Sequence, residues 1–140
     1  MIFGNPDKFA IHCDIVKEWN DDYFWVNGIF NVYIQGKMIV PEVAVSELKF
    51  TLANIENNVL DALQTQISLD ELNSELFLGL SSPEMEDKSI FIYYFFTLEN
   101  DFIFIKNNQY ENIFKYNKKY IHNILSDIVL WKKSILFFID

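Results

Sequence analysis

Arginine is missing from the 140 residues, and all 11 basic side chains are lysine. Nucleic-acid binding draws on a cationic footprint in which the arginine fork grips phosphate or guanine, so that class of partner is not expected. Cysteine occurs once, at Cys13. A lone cysteine excludes an intramolecular disulfide and favours a reducing compartment. The four glycines, Gly4, Gly28, Gly36 and Gly79, stand singly, so there is no loop to cradle a phosphate. His12 and His122 are the only histidines and have no His or Cys at metal-ligand spacing; neither a metal nor another cofactor is expected. Serines occur without the elbow pattern that presents a nucleophile. The longest apolar runs, residues 90–96 and 135–139, are far short of a membrane span, and Met1–Asp7 lacks the basic and apolar regions of a signal peptide. The expectation is a soluble cytoplasmic protein with no membrane partner.

What is abundant is apolar and aromatic. Hydrophobic residues make up 51% and aromatics 17%, too rich for a disordered chain and enough for a core without staples. Net charge is −9, unevenly spread. Through Asp101, 17 acids face 5 lysines (−12); from Phe102 onward, 3 acids face 6 lysines (+3). Such a field suits a cationic partner, although an acidic surface also serves solubility alone.

Taken in order, the chain predicts a single domain over 1–140 of the α+β class. It should be a mainly antiparallel β-sheet with two to three helices packed against it. An opening turn is followed by a strand from Phe9 to Trp19, with Phe9, Ile11, Cys13 and Ile15 on one face. Asn20-Asp21-Asp22 is a turn, and Trp25 to Ile34 is a second strand with a bulge expected at Asn27-Gly28. Gln35-Gly36 closes a hairpin into Lys37–Val40. Val45 to Gln64 changes period: Leu48, Leu52, Ile55, Val59 and Leu63 recur every three or four residues, a helix with Ser46 as N-cap. Ser68-Leu69-Asp70-Glu71 has the capping-box form and introduces a second helix, ended by Gly79 and Ser81-Ser82-Pro83. Glu84 to Lys88 reads as a charged loop, Ser89 to Leu98 as a buried central strand, and Phe102–Lys106 and Tyr110–Tyr116 as further strands. From Asn117 the helical period returns through Ile121, Ile124, Leu125, Ile128 and Val129, with Lys118, Lys119 and His122 outward. Residues 134–139 fit either that helix continuing or a last strand.

The search for catalytic chemistry returns little. His12 and Cys13 are adjacent on a strand and point to opposite faces, so they cannot pair with each other; Cys13 with His122 would need the fold to bring them together. Acidic pairs lack the spacing of a calcium loop and read more simply as solvated charge. The better signal is Trp19, Asp21, Asp22, Tyr23 and Trp25, where rings bracket carboxylates. Tyr and Trp concentrate binding energy and flanking acids steer a basic partner, although core packing explains the tryptophans about as well. A second candidate surface joins Asp70, Glu71 and Glu75 with Glu84, Glu86 and Asp87.

The opening residues also carry a resemblance. Phe3-Gly4-Asn5-Pro6, Lys8-Phe9-Ala10-Ile11, Trp19, Asn27-Gly28-Ile29-Phe30 and Ile34-Gln35-Gly36-Lys37 together resemble the start of the immunity protein 42 family. The likeness is densest over residues 3–37. It implies a non-enzymatic bacterial protein of polymorphic toxin and contact-dependent inhibition systems, which binds a cognate toxin domain and blocks it by occlusion. The acidic charge leans toward a basic toxin such as a nuclease, with the inhibitor a monomer or weak homodimer. The rival expectations are an interaction or regulatory module unconnected with toxins, and, further off, a small hydrolase.

Overall fold

The structure is a computed structural model that describes residues 1–20, 26–40, 45–64 and 77–135. The second helix expected after Ser68 lies outside the described residues. The first five strands are β1 (Ile2–Asn5), β2 (Phe9–Ile15), β3 (Asn27–Ile34), β4 (Lys37–Met38) and β5 (Ser46–Glu47). They form one antiparallel sheet in the order β1-β2-β3-β4, with β5 pairing on β3 beside the end of the β2–β3 hairpin. Helix α1 (Leu48–Gln64) follows. Then come β6 (Leu78–Gly79), the short helix α2 (Pro83–Asp87), and β7 (Phe91–Phe96), β8 (Asn100–Lys106) and β9 (Glu111–Asn117), with β6 to β9 forming a second antiparallel sheet. Helix α3 (Tyr120–Ser134) closes the described chain. The class is α+β, with the strands divided between two sheets.

One core joins these layers. Phe9, Ile11 and Cys13 of β2, Val32 of β3, Leu48, Leu52 and Ile55 of α1, Ile92 and Tyr94 of β7, and Ile121 and Leu125 of α3 are all buried within it. The period-two stripe of β2 and the three- and four-residue stripe of α1 therefore face inward as their spacing predicts. Side chains tie the sheets together at their margins. The Tyr116 hydroxyl donates to the Lys8 carbonyl at 3.0 Å and the Tyr120 hydroxyl to the Phe9 carbonyl at 2.8 Å, while the two rings stack 5.5 Å apart. Between the helices, Lys132 pairs with Glu56.

Several local expectations give way to tertiary partners. The β2–β3 register runs unbroken from Phe9 opposite Ile34 to Ile15 opposite Gly28, so no bulge interrupts it. Gly28 is small for another reason: a Cβ there would lie 2.0 Å from the Asp14 carbonyl oxygen and 2.6 Å from Leu48 Cδ1. The opening residues form β1 rather than only a turn, a four-residue strand too short to show a period, which drops Phe3 into the core. Leu78 and Gly79 pair with β7 instead of ending a helix. Ser82 starts α2 where a charged loop was expected: its hydroxyl accepts from the Met85 N–H, Pro83 occupies the first turn, and Met85 is buried.

At α3 the cap comes from another element. Lys119, the residue before the helix, is left-handed and offers no side-chain cap; Asp101 of β8 accepts instead from the Ile121 and His122 N–H groups, each at 3.0 Å. The helix accordingly begins three residues after Asn117. Lys118 and His122 are not simply outward. The Lys118 ammonium donates to the Thr97 carbonyl and lies 3.8 Å from Asp101, and the His122 ring meets Phe96 edge-on. Ser134 remains helical, and residues 136–140 lie outside the described set.

Candidate functional site

The β2 strand ends at Ile15 and turns through a short 3-10 helix, Lys17–Trp19, rather than running on to Trp19 as a strand. Asn20 explains why. Its amide donates to the Val16 and Asn27 carbonyls, and its carbonyl accepts the Asn27 N–H at 2.7 Å, closing the chain back onto the start of β3. Asn27 then donates from its side chain to the Trp19 carbonyl at 3.0 Å. Trp19 is held at this corner with 39% of its surface exposed.

Glu47 organises the other side of the corner. It sits opposite Asn27 across β3–β5. Its carboxylate accepts from the Val26 N–H at 3.1 Å, from Lys49 at 2.9 Å and from Phe50 at 3.0 Å. The N-cap of α1 is therefore Glu47, and Ser46, expected in that role, is a buried strand residue opposite Gly28. A carboxylate suits the position because the first N–H groups of a helix are unpaired and carry the positive end of its dipole. The Glu47 N–H in turn donates to Glu84 of α2 at 2.9 Å.

This hydrogen-bond relay places two surfaces side by side that are far apart in the chain: the Trp19 turn and the Glu84–Asp87 helix. Among the proposed partner-binding residues, Glu84 is half-buried and serves as a tie between α1 and α2. Glu86 and Asp87 are exposed, with Glu86 accepting from the Ser81 hydroxyl at 3.2 Å. Asp21, Asp22, Tyr23, Trp25, Asp70, Glu71 and Glu75 lie outside the described residues. Two residues of this corner were not singled out from sequence: Val45 is 53% exposed and Phe50 64% exposed. Phe50 left a signal, since it is a large ring two residues off the buried stripe that begins at Leu48.

The groups a hydrolase would need do not converge among the described residues. Cys13 is completely buried, and burial pushes its thiol up to about 12, with Asp14 adding to that and the N-terminal ammonium opposing it. At neutral pH it carries no thiolate to attack a substrate. His12 is bonded to Asp14 at 2.8 Å, and His122 sits against Phe96. No group of three or more His, Cys, Asp or Glu residues is arranged to hold a metal among the described residues. A cavity of about 30 Å³ touches both His12 and Glu84, roughly the space of one or two water molecules. A larger cleft of about 190 Å³ opens between the β3–β4 and β8–β9 turns. Among the described residues, Ile34, Ile105 and Phe114 line it and Lys37 is the one charged group, with no acid–base pair between them. No described helix is long and apolar enough to cross a membrane.

The comparison that decides the assignment is with protein families: residues 1–131 match immunity protein 42. The chain belongs to the immunity protein 42 family. The match extends well beyond the opening residues 3–37 that carried the resemblance. Among solved structures, the immunity protein's fold is similar to that of CdiI from Burkholderia dolosa AUO158, with a TM-score of 0.65 at 16% identity, covering 94% of this chain and 99% of that one. At that identity the likeness is one of fold. No curated protein sequence matches the chain.

Proposed function

We propose that this immunity protein neutralises a cognate bacterial toxin domain by binding and occluding it, without transforming a substrate. Family membership over residues 1–131 is the observation that carries the reading. The complete burial of Cys13, out of a substrate's reach, fits binding as the mode of action. The contact is the acidic and aromatic surface that begins at Trp19 and runs through Asp21, Asp22, Tyr23 and Trp25, extended by Glu86 and Asp87 and by Asp70, Glu71 and Glu75. Its acids speed encounter with a basic toxin, a nuclease being one such class, and its rings hold the complex once formed. The protein acts in the cytoplasm, where an active toxin domain would otherwise reach its target.

The test is co-expression. Cells producing the toxin domain encoded beside this chain should grow only when this chain is also present, and the two proteins should co-purify as a stable complex. Growth that stays arrested, with no complex recovered, would sink the reading.

A further inference from the structure

Large apolar side chains that remain exposed are the economical place to look for a docking centre, because a contiguous patch of them is costly to leave in water. Nine are exposed among the described residues, and three of these, Trp19, Val45 and Phe50, stand on the backbone segments that Asn27 and Glu47 tie into one corner. The relay bounds their separation. Trp19 is one hydrogen bond from Asn27, Asn27 is the cross-strand neighbour of Glu47, and Glu47 holds the Phe50 N–H, with Val45 two residues before Glu47. The other six are Met1 and Ile2 at the start of β1, Leu98 in the β7–β8 turn, Tyr110 and Ile113 on the β8–β9 hairpin, and Leu130 on α3.

The charge beside the patch has one prevailing sign. Among the described residues, 14–20 carry Asp14 and Glu18 against Lys17, and 84–88 carry Glu84, Glu86 and Asp87 against Lys88. That is five acids to two lysines on the two described segments that flank the relay. An apolar centre with an acidic margin is complementary to a partner with the inverse arrangement.

We infer that Trp19, Val45 and Phe50 form the energetic centre of the toxin contact, and that they receive an apolar patch on the toxin domain ringed by lysine and arginine. This inference rests on the toxin-binding reading and deepens it: two of its three residues lie outside the surface proposed from the sequence. Trp19 and Phe50 are the anchors, since aromatic side chains dominate the binding energy of such interfaces. Glu47 is a positioning residue, which sets Phe50 in place through the first turn of α1.

The experiment measures binding of the full chain to the toxin domain encoded beside it, made inactive by substitution, using Trp19→Ala, Val45→Ala and Phe50→Ala with Leu98→Ala and Ile113→Ala as controls. Melting temperature is recorded for every variant, and Phe50→Lys is added because an exposed helical position accepts lysine without unfolding. Trp19→Ala and Phe50→Ala should each weaken binding by about ten-fold or more, mainly through faster dissociation, with melting temperature nearly unchanged. Phe50→Lys should weaken it further, and the Leu98 and Ile113 variants should bind like the parent. Corner variants that keep parental affinity while the parent chain still binds and rescues would overturn the inference and leave the toxin reading standing. A parent chain that neither binds nor rescues would remove both. Self-association of the free chain that is lost on Phe50→Lys, with toxin affinity unaltered, would assign the corner to a second copy and overturn the inference.

Discussion

Gly28 shows how one position can be set by two neighbours at once. Its backbone lies against the Asp14 carbonyl on β2 and against Leu48 at the first turn of α1, so a methyl group has no room from either side. Neither neighbour is a flexible surface chain, and relieving the contact means shifting β2 or the helix. Gly28→Ala should therefore destabilise the fold by about 2–3 kcal/mol, measured by denaturant unfolding. Because Leu48 opens α1, the same substitution should disturb the Glu47 cap and broaden the amide signals of Lys49 and Phe50. At Gln35 and Gly36, φ values of +53° and +82° describe the tight turn between β3 and β4. Glycine adopts that region freely and glutamine only under constraint. There the constraint is visible: the Gln35 N–H donates to the Lys8 carbonyl and the Gly36 N–H to the Pro6 carbonyl.

Between elements, the tyrosines at the edge of β9 and the start of α3 fasten the second sheet to the β1–β2 hairpin. Burial, and then the neighbouring Tyr120, push the Tyr116 hydroxyl up to about 12. The folded state thus holds this proton to higher pH than the unfolded chain does, where tyrosine titrates near ~10. Stability from the group is complete below the unfolded value and is lost as pH rises from there through the folded one. Tyr116→Phe should lower stability at neutral pH by about 1 kcal/mol, through the lost bond to the Lys8 carbonyl, and should flatten the alkaline fall. Unfolding curves collected across the alkaline range decide it: an unchanged slope in the variant means that another group is responsible. Capping is likewise a matter between elements here, since α1 is started by a strand residue beside it and α3 by the buried Asp101 near the start of β8.

For the molecule as a whole, charge is organised along the chain and predicts kinetics more directly than affinity. The −12 balance through Asp101 against +3 thereafter leaves the chain at −9, and long-range attraction between proteins acts mainly on encounter. Asp21→Lys/Asp22→Lys should slow association with the toxin domain by roughly ten-fold at low salt, and the difference should shrink as salt shortens the screening length. Stopped-flow mixing at two ionic strengths measures this, and equal association rates at low salt would exclude the Asp21–Asp22 stretch from the encounter surface. Its effect should separate from that of Phe50→Ala, which acts on dissociation.

Much of this was legible in order of residues alone. The alternation in β2 and the stripe through Leu48, Leu52, Ile55 and Val59 are local periods, and a chain of this composition has to bury them. Family membership was readable in the Phe3–Lys37 motifs for the same reason, since they record local turns and strands. Side chains that answer to residues far away left no such trace. Gly28 resembled a bulge because its real constraint comes from Leu48, 20 positions on. Ser46 looked like a cap because the capping carboxylate comes from Glu47, held in position by strand pairing. The candidate site divides in the same way. Sequence disclosed the rings and acids around Trp19, whereas Val45 and Phe50 entered only when β5 paired with β3. Periodicity reports which face of an element meets the core, but which elements become neighbours depends on non-local pairing, and it was that pairing that assembled the corner.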